Sequence, residues 1–406
     1  MTTNCFARVI ILSVVALVAA QTGAAQTQFK VLHTFKGGSD GIAPYSPLVR
    51  DAAGNLYGTT AYGGGMGPVC GSVHCGTVFK LSSTGTETVL HRFSGGNDGS
   101  YPSGTLALDP SGNLYGTTVL GGTIDCQGRS CGTVFQVQAS GTETVLYRFT
   151  GRLDAAEPDG GVVRDRAGNL YGTTLTAGRW GFGNVFRINP AGTMQAMHSF
   201  SGGTDGAASD ATLLRDAAGN LYGTTTAGGA GNVGTIFSVN PEGEEAVLYN
   251  FGGGSDGQFP QGSVVADSVG NLYGVTLAGG TSDNGTVFEV DTTGKETILY
   301  NFTGSTDGGR PYGGLLRDAA GNLYGAASSG GDLACSPPYG CGVIFKLDTT
   351  GHESVLYSFT GGTDGALPYA TLIRDSVGNL YGTANSGGNL ACNPPYGCGT
   401  VFELTH

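Results

Sequence analysis

Apolar residues along this chain come in runs of four to six, partly alternating with polar ones, and Gly, Asn, Asp or Ser bounds nearly every run. That is the pattern of short strands joined by tight turns. In one stretch the runs are 314–318, 322–326, 343–347 and 354–359, rich in Leu, Val, Ile, Tyr and Phe. No segment carries a useful apolar period of 3.6 residues, so the sequence predicts an all-β protein. The pattern also repeats. Gly-Asn-Leu-Tyr-Gly begins at Gly54, Gly112, Gly168, Gly219, Gly270, Gly321 and Gly378, at spacings of 58, 56, 51, 51, 51 and 57 residues.

Four strands repeated seven times predict a seven-bladed β-propeller. The segment Asp-x-x-Gly-Asn forms the hairpin between the first two strands, its Asp accepting turn amides. The segment Gly-Gly-x-Asp-Gly-x-x-Pro crosses from the outer strand of one blade to the inner strand of the next. On this assignment residues 31–35 are an orphan outer strand, and 401–404 end a last blade that lacks one. The N-terminal strand is therefore expected to close the ring. Seven units with their loop extensions account for all of residues 26–406, which predicts a single domain.

Composition changes the picture at three points. With 75 Gly, 12% charged residues, and 19 Lys plus Arg against 31 Asp plus Glu, a nucleic-acid surface is excluded for want of clustered positive charge. Residues 1–25 read as a signal peptide: Arg8, an apolar run over 9–20, then Gly23-Ala24-Ala25. The run is too short to span a bilayer and no later stretch approaches that length, so the expectation is a secreted or extracytoplasmic protein, monomeric, with no transmembrane segment. Cys5 precedes the run. The other eight cysteines fall in the four longest connections between second and third strands, those of blades 1, 2, 6 and 7. One close pair per loop predicts four local disulfides: Cys70–Cys75, Cys126–Cys131, Cys335–Cys341 and Cys392–Cys398. Their spacing, with only His74 nearby, does not suit zinc. Each closes so short a loop that it is expected to stiffen the loop and not to hold the ring.

The run Asp-x-x-Gly-Asn-Leu-Tyr-Gly-Thr-Thr, then Gly-Thr-Val-Phe-x-Leu and Thr-Val-Leu-Tyr-x-Phe, resembles the GloVer-type repeat of bacterial choice-of-anchor tandem repeat proteins, over residues 29–404. The resemblance implies a secreted or surface-displayed bacterial repeat protein.

Residues present in every unit are expected to serve every unit. Asp51, Asp109, Asp165, Asp216, Asp267, Asp318 and Asp375 sit in the hairpins; Asp40, Asp98, Asp154, Asp205, Asp256, Asp307 and Asp364 sit in the crossing loops. Bonds to turn amides explain both sets. No cofactor is expected; calcium at the crossing loops is the alternative, though one carboxylate per loop is thin for six to eight oxygen ligands. His33, His91 and His198 stand where other units have Tyr, which points to packing, and His352 and His406 fall in or beside hairpins. No catalytic motif appears, and no catalytic or metal-ligating residue is assigned.

One position diverges fully in type, the residue after the crossing-loop Pro: Tyr45, Ser103, Asp159, Asp210, Gln261, Tyr312 and Tyr369. These are expected to ring the channel mouth, with Tyr62, Tyr339 and Tyr396 on the disulfide loops above and Trp180 with Phe182 in the loop of blade 3. The candidate ligand-binding set is Tyr45, Tyr312, Tyr369, Gln261, Tyr339, Tyr396 and Trp180. A half-aromatic, half-acidic mouth suits a glycan or another extracellular macromolecule. The alternatives are a polysaccharide-acting enzyme using Asp159 and Asp210 as a carboxylate pair, and a purely structural display protein.

Overall fold

The computed structural model describes residues 27–65, 70, 75–122 and 131–405. The segment read as a signal peptide, with Cys5, lies outside them, as do His74, Cys126 and His406. Every strand pairs antiparallel with its neighbours, in seven sheets: six of four strands and one whose inner position is split into two short strands. Among the described residues there is no α-helix, and none long and apolar enough to cross a membrane. The seventh sheet runs Ile373–Arg374, Leu380–Ala384, Thr400–Thr405 and then Gln28–Thr34. The N-terminal strand is thus the outer strand of the last blade, with Phe29 opposite Leu404 and Val31 opposite Phe402. The ring closes as the repeat arithmetic requires.

Each residue of Gly-Asn-Leu-Tyr-Gly has a physical reason. In the first copy Gly54 turns the hairpin at φ 85°. The Asn55 amide and side chain both donate to Asp51, at 2.9 and 2.7 Å. Leu56 is buried in the core. The Tyr57 hydroxyl reaches back to the same carboxylate at 2.9 Å. Gly58 leaves room for a ring from the next strand: a Cβ there would stand 2.7 Å from Phe79. The hairpin carboxylates therefore receive the turn amides, as expected, and a tyrosine hydroxyl as well.

The blades are sealed to one another by phenylalanine. The Phe ending each outer strand meets the Phe of the next blade's third strand edge-on, as in Phe35–Phe79, Phe93–Phe135 and Phe359–Phe402, with centroids 5.0–5.4 Å apart. All seven interfaces have this pair, and such edge-to-face contacts add to the area each ring buries. The crossing loop is held by its Asp, which accepts the amide four residues before it in every unit, as from Thr150 to Asp154 at 2.8 Å. The outer-strand Tyr donates to the same carboxylate, as Tyr147 to Asp154 at 3.0 Å, and the histidines stand close to theirs: His198 3.3 Å from Asp205, His33 3.4 Å from Asp40 and His91 3.6 Å from Asp98. These histidines pack, as expected, and also supply the polar tip that tyrosine supplies elsewhere.

Two expectations need correction. Most inner strands are far shorter than the predicted five residues, the exception being Gln258–Ala266: 314–318 is reduced to Leu316–Arg317, preceded by a separate piece at Gly309–Pro311. The chain nearest the axis bonds across to other blades instead of along its own ladder. Gly314 N–H donates to Thr371 Oγ1 at 2.7 Å, and Thr212 Oγ1 meets Thr105 Oγ1 at 2.8 Å. Second, the disulfides do more than stiffen loops. Cys70–Cys75, Cys335–Cys341 and Cys392–Cys398 form within their loops, with Cα atoms 5.3–5.9 Å apart. Cys75, Cys341 and Cys398 are nonetheless buried among the core side chains, and a Cβ on Gly37 of the adjoining crossing loop would strike the Cys392 sulfur at 2.5 Å. Each bridge seats its loop on the blade interface.

Candidate functional site

Strand direction puts both hairpins of every blade at one end of the ring. The crossing loops and the connections between second and third strands lie at the other. On this loop-bearing face each crossing loop approaches the axis through a residue held at φ 53–61°: Ala43, Tyr101, Glu157, Ala208, Phe259, Arg310 and Leu367. The amide of each donates to the carbonyl just before the third strand of the preceding blade, as from Ala43 to Cys398 at 3.0 Å. A side chain in this left-handed region costs about 1–2 kcal/mol relative to the ordinary conformations. The chain spends glycine freely elsewhere and uses none here, so this ring keeps side chains against strain. Residue type does not mark these positions as left-handed; their diversity across the repeats is the signal they carry.

Two residues further on, Tyr45, Ser103, Asp159, Asp210, Gln261, Tyr312 and Tyr369 come together around the axis, where the spacing placed them. They line a well of about 60 Å³, with Thr105 and Thr212 also in its wall. That is room for a few waters, well below the several hundred Å³ of pockets that enclose a drug-sized ligand. The three tyrosines occupy one another's faces. Tyr45 and Tyr369 stack at 5.1 Å with planes 25° apart, and Tyr312 stands edge-on to both, at 5.7 and 5.3 Å. Burial, then the Asp210 charge, pushes the Tyr312 hydroxyl up to about 12.

Opposite the tyrosines are the acids. Asp159 Oδ1 accepts the Ser103 hydroxyl. Burial raises Asp159 above the usual carboxylate range against that bond, and the Glu157 charge adds to the rise. Burial, then the Asp159 charge, pushes Asp210 up to about 7. Asp210 Oδ1 and Gln261 Oε1 are buried without a hydrogen-bond partner, and Gln261 is only 7% exposed.

The other candidates stand out on the loops: Tyr339 is 63% exposed, Tyr396 67% and Trp180 54%. The Arg179 guanidinium lies 4.8 Å from the Trp180 ring. Tyr62 packs edge-on to Tyr101 at 5.2 Å. Phe182 is partly turned inward, where a Cβ on Gly202 would meet its ring at 2.5 Å, the place a disulfide fills in blades 6 and 7. The exposed aromatic side chains among the described residues are Tyr62, Trp180, Phe182, Phe259, Tyr339 and Tyr396. All six are on the loop-bearing face. Among the described residues, the large apolar side chains exposed at the hairpin end are Val269 and Val377.

A sequence family described as the Gloeobacter/Verrucomicrobia repeat matches residues 18–163 and 126–337. The chain belongs to this repeat family. No curated protein matches it in sequence. Among solved structures it is similar to the extracellular domain of a hybrid two-component system from B. thetaiotaomicron, with a TM-score of 0.54 and 13% identity over 94% of this chain. The match spans 42% of that protein's chain, and it is a likeness of fold. Weaker similarities reach a protein described as a gluconolactonase (TM-score 0.43, 11% identity, 94% of this chain and 92% of that one) and a luciferin-regenerating enzyme (0.45, 13%, 75% and 91%).

Proposed function

We propose that this is an exported propeller whose loop-bearing face binds an extracellular glycan. One observation carries the reading: the exposed aromatic side chains gather on that face. Flat rings with polar edges are what a sugar stacks on, and a solvent-facing aromatic patch of this kind marks an interaction surface. The left-handed ring supports it, because strain kept at seven side-chain-bearing positions implies that those side chains are used. The leader-like segment at 1–25 and the three disulfides support export. Trp180→Ala, and separately the pair Tyr339→Ala with Tyr396→Ala, are expected to weaken glycan binding about tenfold or more while leaving the melting temperature within about a degree. A glycan array followed by calorimetric titration reads both. Unchanged affinity in all of these variants would reject the reading.

A polysaccharide-acting enzyme is the second reading, favoured by the raised Asp210 carboxyl beside Asp159. The narrowness of the well speaks against it, since a sugar ring needs more room than about 60 Å³. Product formation abolished by Asp159→Asn would reverse that order.

A further inference from the structure

The axial well has an unmet chemical demand. Asp159, Asp210 and Gln261 come from consecutive blades and offer it acceptors, two of which, Asp210 Oδ1 and Gln261 Oε1, are buried and unpartnered. Ser103 and Glu157 act on Asp159, and Asp159 acts on Asp210, with Tyr312 beside both and Tyr101 beside Asp159; no basic side chain is among them, and Arg310 acts on Tyr369 elsewhere in the well. Buried carboxylates without a counter-charge are rare in proteins because desolvation is not repaid. A cation that donates hydrogen bonds answers both the free acceptors and the acidic charge at once. An ammonium group has three N–H donors, one for each acceptor-bearing side chain. It also fits a space of about 60 Å³. A divalent metal is served less well. Among the described residues no three His, Cys, Asp or Glu side chains gather at one point, and two carboxylates with one amide fall short of a calcium shell.

We propose that the well seats a primary ammonium group, presented by an amino sugar of the glycan that lies across the loop-bearing face. The proposal deepens the reading above and rests on it for the sugar, but not for the ammonium. The exposed flat rings favour an amino sugar over a lysine side chain as the source.

The test uses the purified protein with three probes: methylammonium chloride, a glucosamine oligomer, and the N-acetylated oligomer of the same length. Methylammonium chloride is expected to raise the melting temperature above that in sodium chloride of equal ionic strength. The amine oligomer is expected to bind at least about tenfold tighter than its acetylated counterpart. Asp210→Asn, with Asp159→Asn as the second variant, is expected to erase both effects and to raise the melting temperature of the free protein by removing an uncompensated charge. That gain also shows that the variant folds. No methylammonium effect, or a tenfold preference surviving in both variants, would overturn the well. Methylammonium stabilisation without binding of either oligomer would instead reject the glycan reading and leave the well standing. A lysine peptide outcompeting the amino sugar would overturn the assignment of the source.

Discussion

The last Gly of the signature pentapeptide and the Phe of Thr-Val-Phe are far apart in sequence and touch in every blade. In blade 4 a Cβ on Gly223 would stand 2.7 Å from Phe237 and 2.9 Å from Leu213, both fully buried. Neither ring nor leucine can retreat, so Gly223→Ala is expected to destabilise by about 1–3 kcal/mol through overpacking, read as a lower denaturation midpoint. No strain of backbone angle is involved at this glycine. An unchanged midpoint would mean the core is looser than its geometry. At the crossing-loop Asp residues the sequence reading held at the level of single atoms, because a carboxylate two to four residues from unpaired amides has a local, nearly forced use. The tyrosine hydroxyl on the hairpin Asp was not legible, since the strand carries Tyr57 back over the turn only once the hairpin has formed.

Among the elements, the closing strand is the most exposed to test. Gln28–Thr34 covers Thr400–Thr405, and Phe29 stacks on Tyr357 at 3.8 Å and packs on Phe402. Deleting residues 27–36 strips that edge and opens the interface between blades 6 and 7. The truncated chain is expected to melt at markedly lower temperature and to aggregate through the bare strand, seen in light scattering. A monomeric truncation with the parent melting curve would contradict closure. The inner strands teach the opposite lesson. Their residues look like strand by composition, yet five of the seven blades have only two paired residues at the innermost position ahead of the hairpin. Crowding at the axis turns their amides toward neighbouring blades, a constraint that one unit's sequence does not contain.

For the whole molecule, acidity is distributed by depth. Burial, then the charge of a neighbouring crossing-loop Asp, pushes Glu245, Glu296 and Glu353 up to about 7, and each has a buried carboxyl oxygen with no partner. The folded state therefore keeps protons that the unfolded chain releases near pH 4.5. Their contribution is full below that pH, falls as the pH rises toward 7, and is lost above it. The hairpin Asp residues act the other way. Burial raises them, but the bonds from Asn and the turn amides outweigh it and hold them below the usual range, as at Asp51 and Asp318. Their stabilisation is present above about pH 4 and fades below it. A melting temperature that peaks at roughly pH 4–5 and drops by a few degrees toward pH 8 is expected in calorimetry. A steady rise to pH 8 would show that the hairpin carboxylates dominate.

Spacing alone sufficed for the repeat, the blade count, the closure by the N-terminal strand and three local disulfides, Cys70–Cys75, Cys335–Cys341 and Cys392–Cys398, because each follows from separations that any compact ring must respect. It also collected the seven residues of the axial well, since equal positions in equal blades converge on one axis. Only the tertiary structure decided how that well is filled. Three tyrosines there spend their faces on each other, Asp210 and Gln261 are left unpartnered, and the rings free to meet a ligand lie on the loops outside. Those outcomes depend on distances between blades and on the depth of each side chain, which a periodic sequence leaves open.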